Sequence, residues 1–360
     1  MLTAEGCRQR RQRFWDAAGF PNRVSLVVLS DPTHLRYLAN CYISPISLGG
    51  DATAALILAR DGSTKLIHDN RVPSSVKLAH VDEQVAAPWY DGQSPAHGPR
   101  QLAYAALLPA PPCDLPGQPF AEHVVTTLAD MRRRKDPDEV EVLRACCRAG
   151  EAGQAWALAN TRAGMSELDA YAGVSAACNA VVGEHVIVYG DFAVSPGPAR
   201  HGGPPTRRVL VNGDLVIFDF SVIIAGYRSD FTNTVCVGSE PTAGQSRLMQ
   251  LSQQAMAAGE RKLRAGASCQ EVYDAVRGSY EAAGMADWFP HHAGHGLGLT
   301  HPEAPYIVRH STETLLAGDV VTLEPGLYVE DVGGVRIEHN YLITDAGFER
   351  LSQHKIGLVP

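Results

Sequence analysis

A chain of 360 residues has room for two or three domains and for a core that needs no disulfide staples. Its 31 Lys+Arg against 39 Asp+Glu leave a formal charge of −8, which argues against a nucleic-acid partner, whose phosphates call for a basic face. With 45% apolar and 19% charged residues the chain is a folded globule, and no apolar run reaches the ~18 residues of a membrane span.

The first residues, Met1-Leu-Thr-Ala-Glu-Gly-Cys-Arg, pass straight into charge with no apolar segment, so the expectation is a cytoplasmic protein without a secretion signal. Residues 1–20 are predicted to form a short basic helix, with Arg8-Gln-Arg-Arg-Gln-Arg13 as its solvated face. An alternating pattern follows: a strand at 24–29, a short helix at 33–38, a buried strand at 54–59, a turn at Asp61-Gly62 and a hairpin partner at 65–68. Five prolines between Pro109 and Pro119 mark a surface loop, and an N-terminal α/β domain is placed at 1–130. The second domain, 131–360, opens on Asp136-Pro137-Asp-Glu139. Here Asp136 can cap, Pro137 suits the first helical position and Glu139 closes a capping box, so a long helix is predicted to about Asn160. Another begins at Ser166, with Asp169 three residues on.

A repeat is visible in this second domain. Arg162-Ala-Gly-Met-Ser166 matches Arg264-Ala-Gly-Ala-Ser268 at an offset of 102, and Tyr171 and Val174 match Tyr273 and Val276 at the same offset. Each copy places a helix-ending Gly before a helix-capping Ser, with strand-rich sequence downstream, which suggests two similar halves of helix pair plus hairpin. The eight cysteines form no CxxC pair, and several sit among apolar neighbours, so they read as buried reduced thiols.

Chemistry enters with the acids. In Leu215-Val-Ile-Phe-Asp219-Phe-Ser-Val-Ile-Ile-Ala-Gly-Tyr-Arg-Ser-Asp230, a carboxylate interrupts an apolar strand, where propensity and solvation both oppose it. A two-residue loop at 224–225, or four residues at 223–226, puts Asp219 and Asp230 directly opposite each other, where they repel unless a cation lies between them. The second half repeats the anomaly: Glu324 ends the apolar run Val320-Val-Thr-Leu, and Glu338 is predicted inside the strand Gly334-Val-Arg-Ile-Glu338, two residues from Arg336 on the same face. Between the two pairs of acids lies His291-His-Ala-Gly-His295-Gly-Leu-Gly-Leu-Thr-His301, which holds four of the fourteen histidines. One such residue alone is explained by an ion pair or a satisfied core histidine. Two Asp, two Glu and a His, in two similarly built halves, form an oxygen-rich set suited to paired Mn²⁺, Co²⁺, Fe²⁺ or Zn²⁺. Two such ions neutralise four carboxylates and, side by side, suit hydrolysis of an amide or ester.

These residues resemble the pita-bread metallohydrolases: prolidase, aminopeptidase P, methionine aminopeptidase and the metal-free creatinase. The motifs that carry the likeness are Asp219…Asp230 with Gly226-Tyr-Arg-Ser-Asp, Gly294-His-Gly-Leu-Gly298, Glu324-Pro-Gly-Leu-Tyr328 and Val335-Arg-Ile-Glu338. The resemblance implies an α+β fold, with a C-terminal pita-bread catalytic domain behind an N-terminal creatinase-like α/β domain. It implies two divalent ions per subunit, Mn²⁺ first, with Co²⁺, Zn²⁺ or Fe²⁺ as substitutes, held by Asp219, Asp230, His295, Glu324 and Glu338. Glu324 would also take the proton from a metal-bridging water, and His301 would stabilise the tetrahedral intermediate. His291 and His201 would line the substrate pocket, and Arg336 would orient Glu338 or meet a substrate carboxylate. His295 and His301 are six residues apart, one fewer than in the common family pattern. The implied activity is hydrolysis of small peptides at Xaa-Pro bonds, as dipeptidase or aminopeptidase, by a homodimer with neither nucleic acid nor membrane as partner. The alternatives are a creatinase- or ectoine-hydrolase-like enzyme acting on a small C–N compound, and a pseudo-enzyme that binds peptides.

Overall fold

The computed structural model describes residues 1–46, 51–195 and 203–360. They divide into two compact units, one of residues 1–132 with 136–139 and one of residues 133–135 with 140–360.

The first unit begins with α1 (Ala4–Ala18), capped by the Thr3 hydroxyl and closed by Gly19 in the left-handed region. Cys7, Arg10, Phe14 and Ala18 recur at helical spacing and form its buried stripe. Arg10 corrects the expectation of a wholly solvated basic face. Its guanidinium is inaccessible and donates to Tyr37 O at 2.8 Å, to Asp136 at 2.9 Å and to Asp138 at 2.9 and 3.1 Å. Strand β1 (Leu26–Leu29) starts later than predicted because Val24 is drawn into a turn, its N–H donating to Pro21 O. Next come α2 (Pro32–Ala39), β2 (Ala54–Ala59), β3 (Thr64–Asp69), β4 (Glu83–Ala87) and α3 (Ala121–Arg133). The sheet runs β1-β2-β3-β4, antiparallel except for the parallel last pair. The proline-rich segment carries neither helix nor strand and is pinned through Asp114, whose buried carboxylate accepts from the N–H groups of Ser30 and Asp31.

The second unit follows the mixed α and β plan anticipated for it. A helix pair, α4 (Pro137–Asn160) and α5 (Glu167–Val182), precedes β5 (Ile187–Ser195), β6 (Leu215–Ile224), β7 (Tyr227–Arg228) and β8 (Phe231–Cys236). A second pair, α6 (Ala243–Glu260) and α7 (Cys269–Ala282), precedes β9 (Gly294–Gly296), β10 (Glu303–Ile307), β11 (Val320–Leu323), β12 (Gly326–Val329), β13 (Gly333–Arg336), β14 (His339–Ile343) and β15 (Phe348–Arg350). In the first half β5, β7 and β8 all pair with β6. In the second, β10-β9-β11-β14-β15 form one sheet and β12-β13 a ribbon.

The duplication extends beyond the matched helix starts. Ser166 bridges to Val209 as Ser268 bridges to Thr314. Asp214 accepts from Val211 N, and Asp319 from Leu316 N, each three residues back. Five residues after these aspartates stand Asp219 and Glu324, which are therefore equivalent positions in the two halves. The two capping serines are not equivalent in bonding: Ser166 makes a full capping box with Asp169, whereas Ser268 makes no side-chain cap bond. Strand β6 shows how the unit builds a site. Val216, Phe218, Phe220 and Val222 pack into the core, so period-two alternation sends Ile217, Asp219 and Ser221 to the opposite face. Among the eight free cysteines, all but Cys113 are buried.

Candidate metal centre

The β6 hairpin turns at Ala225-Gly226, both in the left-handed region with φ of 47° and 92°. Such a two-residue turn matches the twist of paired strands. The pairing is Ile224 with Tyr227 and Asp219 with Thr232. The turn thus lies one residue later than expected, and Asp219 and Asp230 are not directly opposite. Asp230 moves toward Ser221, whose hydroxyl donates to its Oδ1 at 3.4 Å, and so lies diagonal to Asp219. The strand ladder is interrupted at Asp230, and Asn340 takes its place: Asp230 N–H donates to Asn340 Oδ1 at 3.1 Å, and Asn340 Nδ2 donates back to Asp230 O.

Glu324 follows β11 directly and is held by its N–H to Ala293 O at 2.9 Å. Glu338 was expected inside a strand; it falls instead in the gap between β13 and β14, where the chain passes from one sheet to another. Thr232 fixes it twice, accepting its N–H on the carbonyl at 3.0 Å and donating from Oγ1 to Oε2 at 2.8 Å. The other oxygen, Oε1, is buried and has no hydrogen-bond partner. His295 sits on β9 between glycines; a Cβ on Gly294 would collide with the Thr322 carbonyl. His295 Nδ1 lies 2.9 Å from Gly296 O, so it carries the proton and leaves the Nε2 lone pair facing carboxylate oxygens, Asp230 Oδ2 at 3.6 Å and Glu324 Oε1 at 3.5 Å.

The five expected ligands are thus brought together. Ligand atoms of Asp219, Asp230 and Glu338 lie within 4.8 Å of one another, as do those of His292, His295 and Glu324, and of Asp230, His295 and His301. All of these but Glu338 border a cavity of about 430 Å³ whose wall also includes Tyr189, Asp191, Arg228 and Arg336. Arg336, expected beside Glu338 or a substrate carboxylate, directs Nη2 to Asp219 and Nη1 to Tyr328 Oη at 2.9 Å. His291, expected on the pocket wall, stands behind it with Nε2 3.0 Å from Tyr328 Oη, and its neighbour His292 lines the cavity. His301 Nε2 lies 2.5 Å from Asp230 Oδ2. His201 falls outside the described residues.

Electrostatics report the same crowding. Burial pushes the Asp219 carboxyl up to about 7, with Asp230 and Glu324 adding to it against Arg336. Burial and the charges of Asp230, Glu324 and Asp219 drive Glu338 well above the carboxylate range. Burial also opposes ionisation of Glu324, yet the imidazoles of His292, His295 and His291 hold it below that range. Burial lowers His291 to about 4, whereas Asp230 outweighs burial at His301 and raises it. Converging acceptor atoms, one of them orphaned, together with an imidazole lone pair aimed at carboxylates, are a donor set that divalent cations fit. A second acidic group, Asp136, Asp138 and Glu139, already has protein cations on it: Arg10 pairs with all three acids and Arg13 with Asp136.

His292, Tyr328, Thr232 and Asn340 were not singled out from the sequence. Asn340 carries the signal that flagged Asp219, a polar residue in an apolar strand; Thr232 carries none, being a common strand residue.

Residues 141–345 match the sequence profile of metallopeptidase family M24. An uncharacterized peptidase of Staphylococcus haemolyticus is 38% identical over 169 residues, covering 47% of this chain and 46% of its own length. The putative dipeptidase YkvY of Bacillus subtilis is 32% identical over 241 residues, 65% of this chain and 64% of that one. The chain therefore spans about half to two thirds of the length of these relatives. Among solved structures, dipeptidase PepE from Mycobacterium ulcerans is 26% identical, with a TM-score of 0.75 and coverage of 100% and 99%. The X-Pro aminopeptidase from Thermotoga maritima reaches a TM-score of 0.77 with 98% and 99% coverage at 18% identity, a likeness of fold alone.

Proposed function

The chain belongs to metallopeptidase family M24, and from that premise we propose that it hydrolyses small peptides at Xaa-Pro bonds, as dipeptidase or aminopeptidase, with two divalent ions held by Asp219, Asp230, His295, Glu324 and Glu338. The observation that carries the reading is Glu338, whose buried Oε1 has no hydrogen-bond donor and one of whose carboxylate oxygens lies within 4.8 Å of ligand atoms of Asp219 and Asp230. Arg336 pairs with Asp219 and His301 with Asp230, which leaves the buried Glu338 beside two acids without a cation of its own, and such a charge is costly unless metal ions accompany it.

When bound, the pair of ions lowers the pKa of a water and polarises the scissile carbonyl. Glu324 is the base that takes the proton of the attacking water, kept ionised by the histidines around it. His301, about one third exposed, is the donor that meets negative charge developing on the carbonyl oxygen. Arg336 holds Asp219 in place, and Tyr328 braces Arg336 and His291 together. The cavity, about 430 Å³, is of a size for a short peptide. Mn²⁺, a homodimer and a cytoplasmic location belong to the same reading. Among the described residues no helix is long and apolar enough to cross a membrane.

The test is a panel of Xaa-Pro dipeptides, longer Xaa-Pro peptides and matched peptides without proline, each with Mn²⁺, Co²⁺ or Zn²⁺. Metal-dependent cleavage confined to the proline-containing members is expected, and chelation should abolish it. A chain that binds two ions and cleaves none of the peptides overturns the assignment of substrate, and full activity in a verified metal-free sample overturns the two-ion reading.

A further inference from the structure

His292 was given no role in the sequence reading, yet its imidazole shares the wall of the cavity with the proposed ligands. Its Nε2 lies 3.0 Å from Glu324 Oε1. His295 Nε2 lies 3.5 Å from that same oxygen and 3.6 Å from Asp230 Oδ2. Bonds of about 2.0–2.2 Å to one ion place neighbouring ligand atoms roughly 3.0–3.5 Å apart in octahedral or tetrahedral shells. All three separations fall on or close to that edge length. The contact of His301 does not: at 2.5 Å from Asp230 Oδ2 it is a charge-assisted hydrogen bond, too short for two ligands of a common ion.

We infer that His292 is a ligand of the ion held by His295 and Glu324, so that the two metal sites differ in chemistry. One would be built from His292, His295 and Glu324, with Asp230 reaching it beside His295, two imidazoles with two carboxylates. The other would be built from Asp219, Asp230 and Glu338, carboxylates alone. This rests on the two-ion reading and goes beyond it. Imidazole favours Zn²⁺ and its neighbours, whereas carboxylate and water favour Mn²⁺. The consequence is a mixed centre, one ion selected for nitrogen and one for oxygen, joined by Asp230. His292 is positioned for this by local geometry. It stands three residues before His295, on the segment that enters β9, and its side chain, 39% exposed, has room to adjust at the cavity mouth.

The competing account is that His292 only hydrogen-bonds Glu324, and the test separates the two without any peptide. The full chain is stripped by chelation, then titrated with Zn²⁺ and separately with Mn²⁺ by calorimetry, and with Co²⁺ by visible absorption. Wild type should take one Zn²⁺ far more tightly than the second. His292→Ala should weaken that tight equivalent on the order of 10²-fold and change the Co²⁺ spectrum, with the Mn²⁺-preferring equivalent unaltered. His292→Gln should fail to restore Zn²⁺ binding, since an amide can still donate to Glu324 but is a poor ligand. Thermal melts of the stripped variants check that they fold. Restoration by Gln, or a Zn²⁺ isotherm in His292→Ala identical to wild type, overturns the proposal. A wild-type chain that binds no divalent ion overturns it together with the functional reading. Two unequal sites in wild type, one of them dependent on His292, support it even where every peptide assay fails.

Discussion

Replacing Glu338 with Gln should stabilise the metal-free chain while weakening the loaded one. Glu338 is 1% exposed, and its ligand oxygen lies within 4.8 Å of those of Asp219 and Asp230. Two unit charges at that distance, at an effective dielectric of ~20, repel by about 3.5 kcal/mol. The stripped chain escapes part of this by holding the proton. Burial and the neighbouring acids raise the folded pKa of Glu338 above its unfolded value. The cost is therefore absent below the unfolded pKa of ~4.3 and grows by about 1.4 kcal/mol for each pH unit above it, until the folded carboxyl ionises too. At pH 7 both routes limit the penalty to roughly 3–4 kcal/mol. Gln can still accept from Thr232 Oγ1 and turns a donor toward the two aspartates, so most of the penalty should vanish. In a chain of 360 residues that is a rise in Tm of roughly 4 °C. The loaded variant should lose instead, because mass-action stabilisation, about 2.7 kcal/mol at a hundredfold excess over Kd, shrinks with affinity. Urea denaturation of both proteins in chelator and in Mn²⁺, at pH 7 and again at pH 4.5, reads each arm. A variant less stable than wild type in chelator at pH 7 would refute the argument, since the carboxylate could not then be facing uncompensated charge.

Other substitutions probe other parts. Asp230→Asn should abolish hydrolysis and reduce bound metal, while Asp274→Asn, on the exposed side of α7, should leave kcat and metal content at wild-type levels; equal losses would mean the site is elsewhere. His301→Ala should lower kcat on the order of 10²–10³-fold with metal content near wild type, and His295→Ala should lose an ion, as metal analysis of both variants would reveal. Burial lowers His354 to about 4, below its unfolded value of ~6.5, so wild type should lose stability as pH falls from 6.5 toward 4, on the order of 2 kcal/mol by pH 5. His354→Gln should flatten that slope, and parallel denaturation curves against pH for the two proteins would count against it.

The ligand positions were readable because a carboxylate inside an apolar run stands out against both propensity and solvation. Asp219, Asp230 and Glu324 need only that contrast. Where they lie relative to one another was less readable. The hairpin register depends on which residues adopt positive φ, and Ala225, a poor candidate by residue type, is one of them. Arg10 was misread because its partners Asp136 and Asp138 lie more than a hundred residues away, and no local pattern announces an ion pair closed by tertiary structure. The repeat was seen at an offset of 102, but the second half carries three more residues before Gly318-Asp319. The equivalence of Asp219 with Glu324, at an offset of 105, therefore escaped. Choosing His292 over His291 as the wall residue required side-chain direction, which adjacent positions do not encode.

The duplicated plan has a consequence for how the chain matures. Asp219 and Asp230 come from one half, and His295, Glu324 and Glu338 from the other, so each grouping of ligand atoms at the candidate centre draws on both halves or on the later half alone. A nascent chain that has finished only the first helix pair and hairpin offers two aspartates and no imidazole partner. Divalent ions in the cell then have little to grip until the second half has docked and Thr232 has met Glu338. On the proposed two-ion reading, metal binding would reward the completed arrangement and give little stabilisation to partly assembled forms.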